Sequence, residues 1–417
     1  MRPTAILNAR MVDPKSGYDG PGALLVRDGV IAEVARKPFL DSVPEDVATV
    51  DAQGAVLAPA LVDLRAQGAP DELSRTAAAA GVATVVLASN PSAPADGPAR
   101  VAALAAPGRP GARILPAAAA TQGMAGERLA EIGLLHEAGA VLISDGDRAI
   151  GDSRVLRRVL RYAAGFGVPV AHRPIDVHLS RGAVAAEGEF AARLGLSGVP
   201  DVAERIGLER DVAIAEGTGA PLHLDGLSTA VGVAALAAAK ARGAPVTGAV
   251  AIAHLMFNEV DMGGLDTRFR LDPPLRPEFD RQALIGALLE GVLDIVVSGH
   301  APVPPERKQV PYAEADPGAA TLHAFLPALL SLHHVDGLPL LDLLRAVTLN
   351  PARLLGLSSG RLQAGAPADL LLFDLDAPVV MPRLGSPFDG RRFQGRVRST
   401  WVAGVEVQAC PATPPAR

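Results

Sequence analysis

The sequence predicts an α/β protein: a closed (β/α)8 barrel over residues 55–357 and a small β domain built from both ends of the chain, residues 1–54 and 358–417. Three observations predict it. Beyond residue 55, apolar runs of strand length alternate with longer stretches whose apolar positions recur at helical spacing, the pattern of a parallel sheet with helical crossovers. The alternation repeats often enough to favour a closed barrel over an open sheet. Both ends of the chain instead read as short strands and turns, so they are expected to meet in one unit with the barrel inserted between them.

In chain order, residues 5–9 (AILNA), 23–26 (ALLV) and 30–34 (VIAEV) read as strands, with Asp28-Gly29 at the centre of a hairpin turn. The run APALVDLRAQGAP, residues 58–70, is a short apolar strand whose polar end belongs at the working end of a barrel. Further barrel strands are expected at residues 82–87, 140–143, 168–171, 221–224, 250–253 and 294–297. Between them lie amphipathic stretches such as SRVLRRVLRYAAGF, residues 153–166, with apolar residues on one helical face and arginines on the other. After Gly360, ADLLLFD (368–374) and RVRSTWV (396–402) read as strands again. The 36 prolines and 43 glycines fall mostly at element boundaries, so they mark turns rather than disorder.

At 417 residues, with 49% hydrophobic and 20% charged residues, the chain can bury a large core. A net charge of -6, with arginines spread throughout and no basic block, argues against a nucleic-acid partner. MRPTAILNARMVDP lacks a continuous apolar core followed by a small-residue cleavage site, so no signal peptide is expected. The Ala-rich run 234–239 is too short for a membrane span and fits a buried helix. A single cysteine, Cys410, excludes an internal disulfide and a Cys-cluster zinc site and suits the cytoplasm. Its Pro-rich surroundings, QACPATPPAR, are expected to fray, which argues against catalytic use.

LDTRF (265–269) followed by Pro273-Pro274-Leu275-Arg276, then GVLDI (291–295), NPARLLGL (350–357), GRLQAGAPADLLLFD (360–374) and SPFDGRRFQGRVRSTWVAG (386–404) carry a resemblance through their order and spacing. The chain resembles the dihydroorotase branch of the amidohydrolase superfamily along nearly its whole length. It looks closest to the dihydroorotase-like proteins that accompany aspartate carbamoyltransferase and have lost their own activity.

The resemblance implies a barrel mouth where imidazole and carboxylate ligands converge on metals that activate water and polarise a carbonyl. The family's first ligand pair falls on Arg65 and Gln67. An Arg cannot deprotonate to ligate a cation, and a Gln carbonyl is a weak zinc ligand. Arg65 is therefore expected to be a charge plug in the vacated metal volume, paired with a carboxylate such as Asp63 or Asp145. The family's bridging ligand, in its aspartate version, matches Asp145, since Lys15, Lys37, Lys240 and Lys308 fall at no plausible strand end. His172 matches the next histidine. If any metal binds, these two hold it; otherwise they pair with each other or with Arg65.

In an H-x-x-H-x-S-T pattern the later histidine ligates, and here His223-Leu224-Asp225-Gly226-Leu227-Ser228-Thr229 puts Gly226 at that position. His223 matches the member that is not metal-bound, and Asp225 is expected to point to the opposite strand face. The family's general base falls on Gly299, which removes a proton shuttle worth roughly two to four orders of magnitude. Ser298 and His300, two apart on a strand end, are poorly spaced for a nucleophile and base. Among binding positions, Gly68-Ala69-Pro70 replaces an arginine-containing segment, and Asn90 matches a binding asparagine. Asp272 stands where an asparagine is expected, and it would repel an acidic pyrimidine precursor unless neutralised.

The reading is a catalytically degenerate dihydroorotase homologue with no catalytic residues, metal or cofactor. It is expected to serve as structural partner of the aspartate carbamoyltransferase catalytic chain, in a cytoplasmic hetero-oligomer of pyrimidine biosynthesis. Candidate interface anchors are Phe388, Phe393 and Trp401. The alternatives are an active zinc-dependent dihydroorotase, or other cyclic amidohydrolase, with a mononuclear site on Asp145 and His172, and a small-molecule sensor that uses the emptied pocket.

Overall fold

The computed structural model describes residues 3–41, 47–109 and 111–407, so Cys410 and its Pro-rich segment lie outside the described residues. The chain opens with β1 (Thr4–Asp13), β2 (Tyr18–Arg27) and β3 (Val30–Ala35), followed by β4 (Ala48–Asp51) and β5 (Val56–Pro59). Asp28 and Gly29 both have positive φ, 49° and 80°, as the predicted hairpin turn requires. The barrel strands are β6 (Leu61–Ala66), β7 (Val82–Leu87), β8 (Arg113–Ala118), β9 (Leu142–Ile143) and β10 (Val170–His172). A two-stranded excursion, β11 (Ala185–Ala186) and β12 (Gly198–Val199), precedes the last three barrel strands. These are β13 (Leu222–Leu224), β14 (Val246–Ala251) and β15 (Ile295–Val297); β16 (Leu370–Val380), β17 (Arg392–Val402) and β18 (Val405–Val407) end the described chain.

The terminal sheet runs β18-β17-β16-β5-β1-β2-β3, with β4 on β1, so the two ends do form one β domain. They meet at β5, which pairs parallel to β1 and antiparallel to β16. The expected boundary at residue 55 therefore moves to Ala60, because 56–59 is hydrogen-bonded into the terminal sheet. The barrel sheet is parallel throughout and runs β6 to β10 and then β13 to β15 in sequence order, a nearly closed (β/α)8 barrel.

Strand alternation fills the lumen with Val62, Leu64, Val86, Ala117, Leu142, Ala171, Ala249, Ala251, Ile295 and Val297. The NPARLLGL segment closes its floor: Ala352 joins this cluster, Leu355 and Leu357 pack against it, and Asn350 Nδ2 donates to the Asp294 carbonyl at 2.7 Å. The helix Ser153–Phe166 forms with the predicted bounds, capped by the Asp152 side chain and by Gly167 in the left-handed conformation. The strand β8 carries a proline and two alanines, too weak an apolar signal to anticipate. The expected strand at 250–253 instead straddles the end of β14 and the start of the helix Ile252–Met256. No helix of the described residues is long and apolar enough to cross a membrane.

Two expected interface anchors are corrected by their burial. Trp401 is 1% exposed inside the β domain, and Phe388 is 2% exposed and packs edge to face on Phe257 at 4.9 Å. Phe393 is half-buried beside Phe388. Trp401 and Phe388 hold the fold together and are not surface anchors.

The barrel closes between β6 and β15 without a full ladder. Its seam has one parallel bridge, Ala66 to His300, and a 2.7 Å hydrogen bond from Gln67 N to the His300 carbonyl. The Asp63 carboxylate does the rest: it accepts from Ser298 N at 3.0 Å, from the Ser298 hydroxyl, and from Arg65 N at 3.3 Å. Asp63 is fully buried, and that burial pushes it up to about 6 against the pull of these donors. Asp63→Ala orphans two buried donors of Ser298 and is expected to cost about 2–3 kcal/mol of stability. Urea denaturation should show this as a lower midpoint at unchanged slope; a loss below about 0.5 kcal/mol, within the range of ordinary surface substitutions, would contradict the seam role.

Candidate functional site at the barrel mouth

The C-terminal ends of the barrel strands surround a cavity of about 100 Å3 lined by Arg65, Gln67, Asp147, His254, Asp272 and His300, among others. Arg65 and Gln67 come from the end of β6, Asp147 from the loop after β9, and Asp225 from the loop after β13. The Arg65 guanidinium is shared: one nitrogen meets Asp147, and the other lies 3.3 Å from Asp225 Oδ2. Burial opposes its charge, but the carboxylates, Asp147 foremost, outweigh this and hold Arg65 above its ordinary pKa. Gln67 Nε2 also donates to Asp147, at 3.3 Å.

Arg65 thus has partners other than Asp63 or Asp145. Asp63 is taken up by the barrel seam, and Asp145 accepts from Ala120 N at 2.8 Å, from Thr121 N at 3.0 Å and from the Thr121 hydroxyl. Nor does Asp225 follow strand alternation to the far face. The strand β13 ends at Leu224, and Asp225 N bonds the His172 carbonyl at 3.0 Å, so its side chain is free to turn toward Arg65.

His172 is buried with both ring nitrogens occupied: Nδ1 faces Asp211 at 2.6 Å, and Nε2 accepts from Ile150 N at 2.7 Å. It pairs with neither Asp145 nor Arg65. His223 points into the lumen, with Nδ1 2.8 Å from the Thr247 hydroxyl. Asp272 is neutralised by a bidentate pair with Arg173, at 2.6 and 2.5 Å. Burial pushes the Asp272 carboxyl up, but the Arg173 guanidinium holds it below the usual range.

Gly226 has φ +77°, and a Cβ built on it would lie 3.2 Å from the nearest Arg65 nitrogen. Gly299 has φ +62°, with a Cβ position 3.0 Å from the Ala251 methyl. Asn90 is not brought into the cavity; its side chain caps its own turn by accepting from Ser92 N and the Ser92 hydroxyl. No Ser298–His300 dyad forms, because the Ser298 hydroxyl donates to Asp63 and accepts from His300 N at 3.1 Å.

Four residues that matter here belong to none of the motifs read from the sequence: Asp147, Arg173, Asp211 and His254. Asp147 and Arg173 follow Asp145 and His172 closely in sequence, which was a usable signal. Asp211 and His254 lie within helices and become visible only through packing. The loop after β13 is fixed by the buried Glu204, which accepts from the backbone N–H and hydroxyl of both Ser228 and Thr229.

The fold and the mouth define a barrel protein of the amidohydrolase kind. A family model described as "Amidohydrolase family" matches residues 157–407, and one described as "Dihydro-orotase-like" matches residues 54–230. The chain belongs to the dihydroorotase-like amidohydrolase family. It is 38% identical to a protein named "Dihydroorotase" from Anaeromyxobacter dehalogenans, over 96% of each chain. It is 34% identical to a "Dihydroorotase-like protein" from Pseudomonas aeruginosa, over 96% of this chain and 98% of the other. Among solved structures, the L-hydantoinase of Arthrobacter aurescens shares the fold with a TM-score of 0.83 at 22% identity, over 98% of this chain and 96% of the other.

Two imidazoles give the mouth a pH signature. Burial holds His254 and His300 down at about 4, against an ordinary 6.5. Between those values the unfolded chain binds more protons than the folded one, so stability falls as pH drops from 6.5 toward 4. Asp63, raised to about 6, opposes this below pH 6 by favouring the protonated fold. The expected outcome is a net loss of stability on acidification, shallower in His254→Gln when followed by urea denaturation. Equal slopes for the two proteins would contradict the assignment of a buried neutral His254.

Proposed function

We propose that this chain is a non-hydrolytic dihydroorotase homologue of the cytoplasm that acts as an assembly partner of the aspartate carbamoyltransferase catalytic chain in pyrimidine biosynthesis. The observation that carries the non-hydrolytic reading is the Arg65 guanidinium held between Asp147 and Asp225 at the barrel mouth. By the family resemblance, a metal ligand would stand at that residue. The remaining donors do not fit a zinc ion either. His172 has no free ring nitrogen and the Asp145 oxygens are already accepting bonds, while Gly226 and Gly299 carry no donor side chain. His300, next to the glycine at the general-base position, does not replace that base, since it turns its Nδ1 to the backbone N–H of Thr321 and Leu322 at 3.0 and 3.3 Å.

The name carried by a relative 38% identical over nearly the whole chain favours a second reading, retained hydrolysis on a mononuclear site. Turnover of dihydroorotate and cyclisation of carbamoyl aspartate, assayed with zinc supplied, separate the two. No turnover above background is expected in either direction. Activity that Asp145→Ala or His172→Ala abolishes would establish the hydrolase instead.

The partner reading rests on the resemblance to companion proteins together with an intact frame. Since Trp401 and Phe388 are internal, the proposed anchors shift to Phe279, 75% exposed, and Val260, 64% exposed. Bonds from Glu259 N to the Arg276 carbonyl, 2.9 Å, and from Asn258 Nδ2 to Glu278, 2.8 Å, hold their segments side by side. An exposed aromatic is the usual kind of interface anchor. Co-expressed with the cognate transferase, the chain is expected to co-elute with it, and Phe279→Arg to weaken that association at least tenfold. A transferase equally stable and equally sized alone, never co-eluting with this chain, would refute the partner role.

A further inference from the structure

The ion pairs at the mouth are not one to one. Asp147, Asp225 and Asp272 are met by two guanidiniums, Arg65 and Arg173, and Arg173 is spent on Asp272. Arg65 alone therefore serves two carboxylates that come from different strand ends. The unpartnered polar atoms around Arg65 include two acceptors, on Asp225 and His254, beside the ring Nε2 of His223. Asp225 Oδ1 is buried without a donor. His254, 5% exposed, lines the same cavity as Arg65. Its Nε2 donates to the Pro273 carbonyl at 2.9 Å, which leaves Nδ1 as an acceptor with no partner. The surroundings thus call for a positive group bearing several N–H donors. On the Gly226 side the guanidinium is closely fitted, since a Cβ there would lie 3.2 Å from the Arg65 nitrogen.

We infer that the barrel mouth is a binding site for a planar guanidinium or amidinium cation, and that Arg65 is the cation it holds, tethered through the chain. A forked planar donor can meet Asp147 and Asp225 together, which a spherical ammonium cannot do with the same directionality. The site thereby disfavours anions such as dihydroorotate, because both guanidiniums are already engaged. This inference rests on reading Arg65 as the occupant of the family's ligand volume and on nothing about turnover. Its failure would leave the assay of hydrolysis to be decided separately.

The test is to cut the tether. Arg65→Ala should bind methylguanidinium saturably by titration calorimetry, while the natural protein should not. Adding Asp147→Asn or Asp225→Asn should weaken that binding roughly tenfold or more, the loss expected for one hydrogen bond to a charged group. Methylguanidinium should also restore thermal stability lost in Arg65→Ala, where equal tetramethylammonium does not. Absence of saturable binding, or binding indifferent to both aspartates, would overturn the inference. Uptake of Mn2+ in place of methylguanidinium, with the same dependence on the aspartates, would overturn the assignment to a planar organic cation. If Arg65→Ala does not fold, the natural protein still decides. NMR should show a slowly rotating Arg65 guanidinium with separate Nη signals, averaged in the Asp147→Asn/Asp225→Asn variant. Averaged signals in the natural protein would refute it.

Discussion

One guanidinium joins the strand ends of this barrel. Arg65 is a buried cation, its side chain 14% exposed, and taking it out of water costs several kcal/mol that only well-placed carboxylates offset. Asp147 and Asp225 supply them from separate loops. Without Arg65 these carboxylates would face each other, with Asp272 close by, in a partly exposed mouth, and each would push the others toward protonation. The ion cluster fixes the relative positions of β6, β9 and β13 at their working ends, a task that a metal ion performs in sites built from imidazole and carboxylate ligands.

The same substitution of internal bonds for ligand bonds recurs around the mouth. Asp63 closes the barrel seam through Ser298, Asp145 holds the Thr121 turn, His172 is locked between Asp211 and Ile150, and Glu204 clamps Ser228 and Thr229. In these four residues the polar side chains are bonded within the fold, whereas Asp225 Oδ1 and His254 Nδ1 at the mouth keep an open position. Where such a network is satisfied it is rigid and specifies one arrangement.

Much of the frame was legible in the sequence, because hydrophobic periodicity and turn chemistry are local. Asp28-Gly29 forms its turn, residues 153–166 form their helix, and the terminal segments share one sheet. The misses have local reasons too. The strand β8 is poor in β-branched residues, and the domain boundary shifts because β5 pairs across the chain with β16. At the mouth, the family resemblance picked out Arg65, Gln67 and Asp272 but not their partners. Strand alternation does not govern Asp225, one residue past the end of β13. Asp211 and His254 sit on helical segments, where sequence spacing does not reveal contact with a barrel end. Trp401 and Phe388 illustrate the converse: aromatic residues signal either an interface or a core, and only burial separates the two.

The most direct measurement of the central claim is a high-resolution crystal structure grown with millimolar zinc. The account predicts the Arg65 guanidinium bonded to both Asp147 and Asp225, His172 still accepting from Ile150 N, and no zinc bonded to protein at the mouth. Zinc coordinated by Asp145 and His172, with Arg65 swung away from the two aspartates, would contradict it.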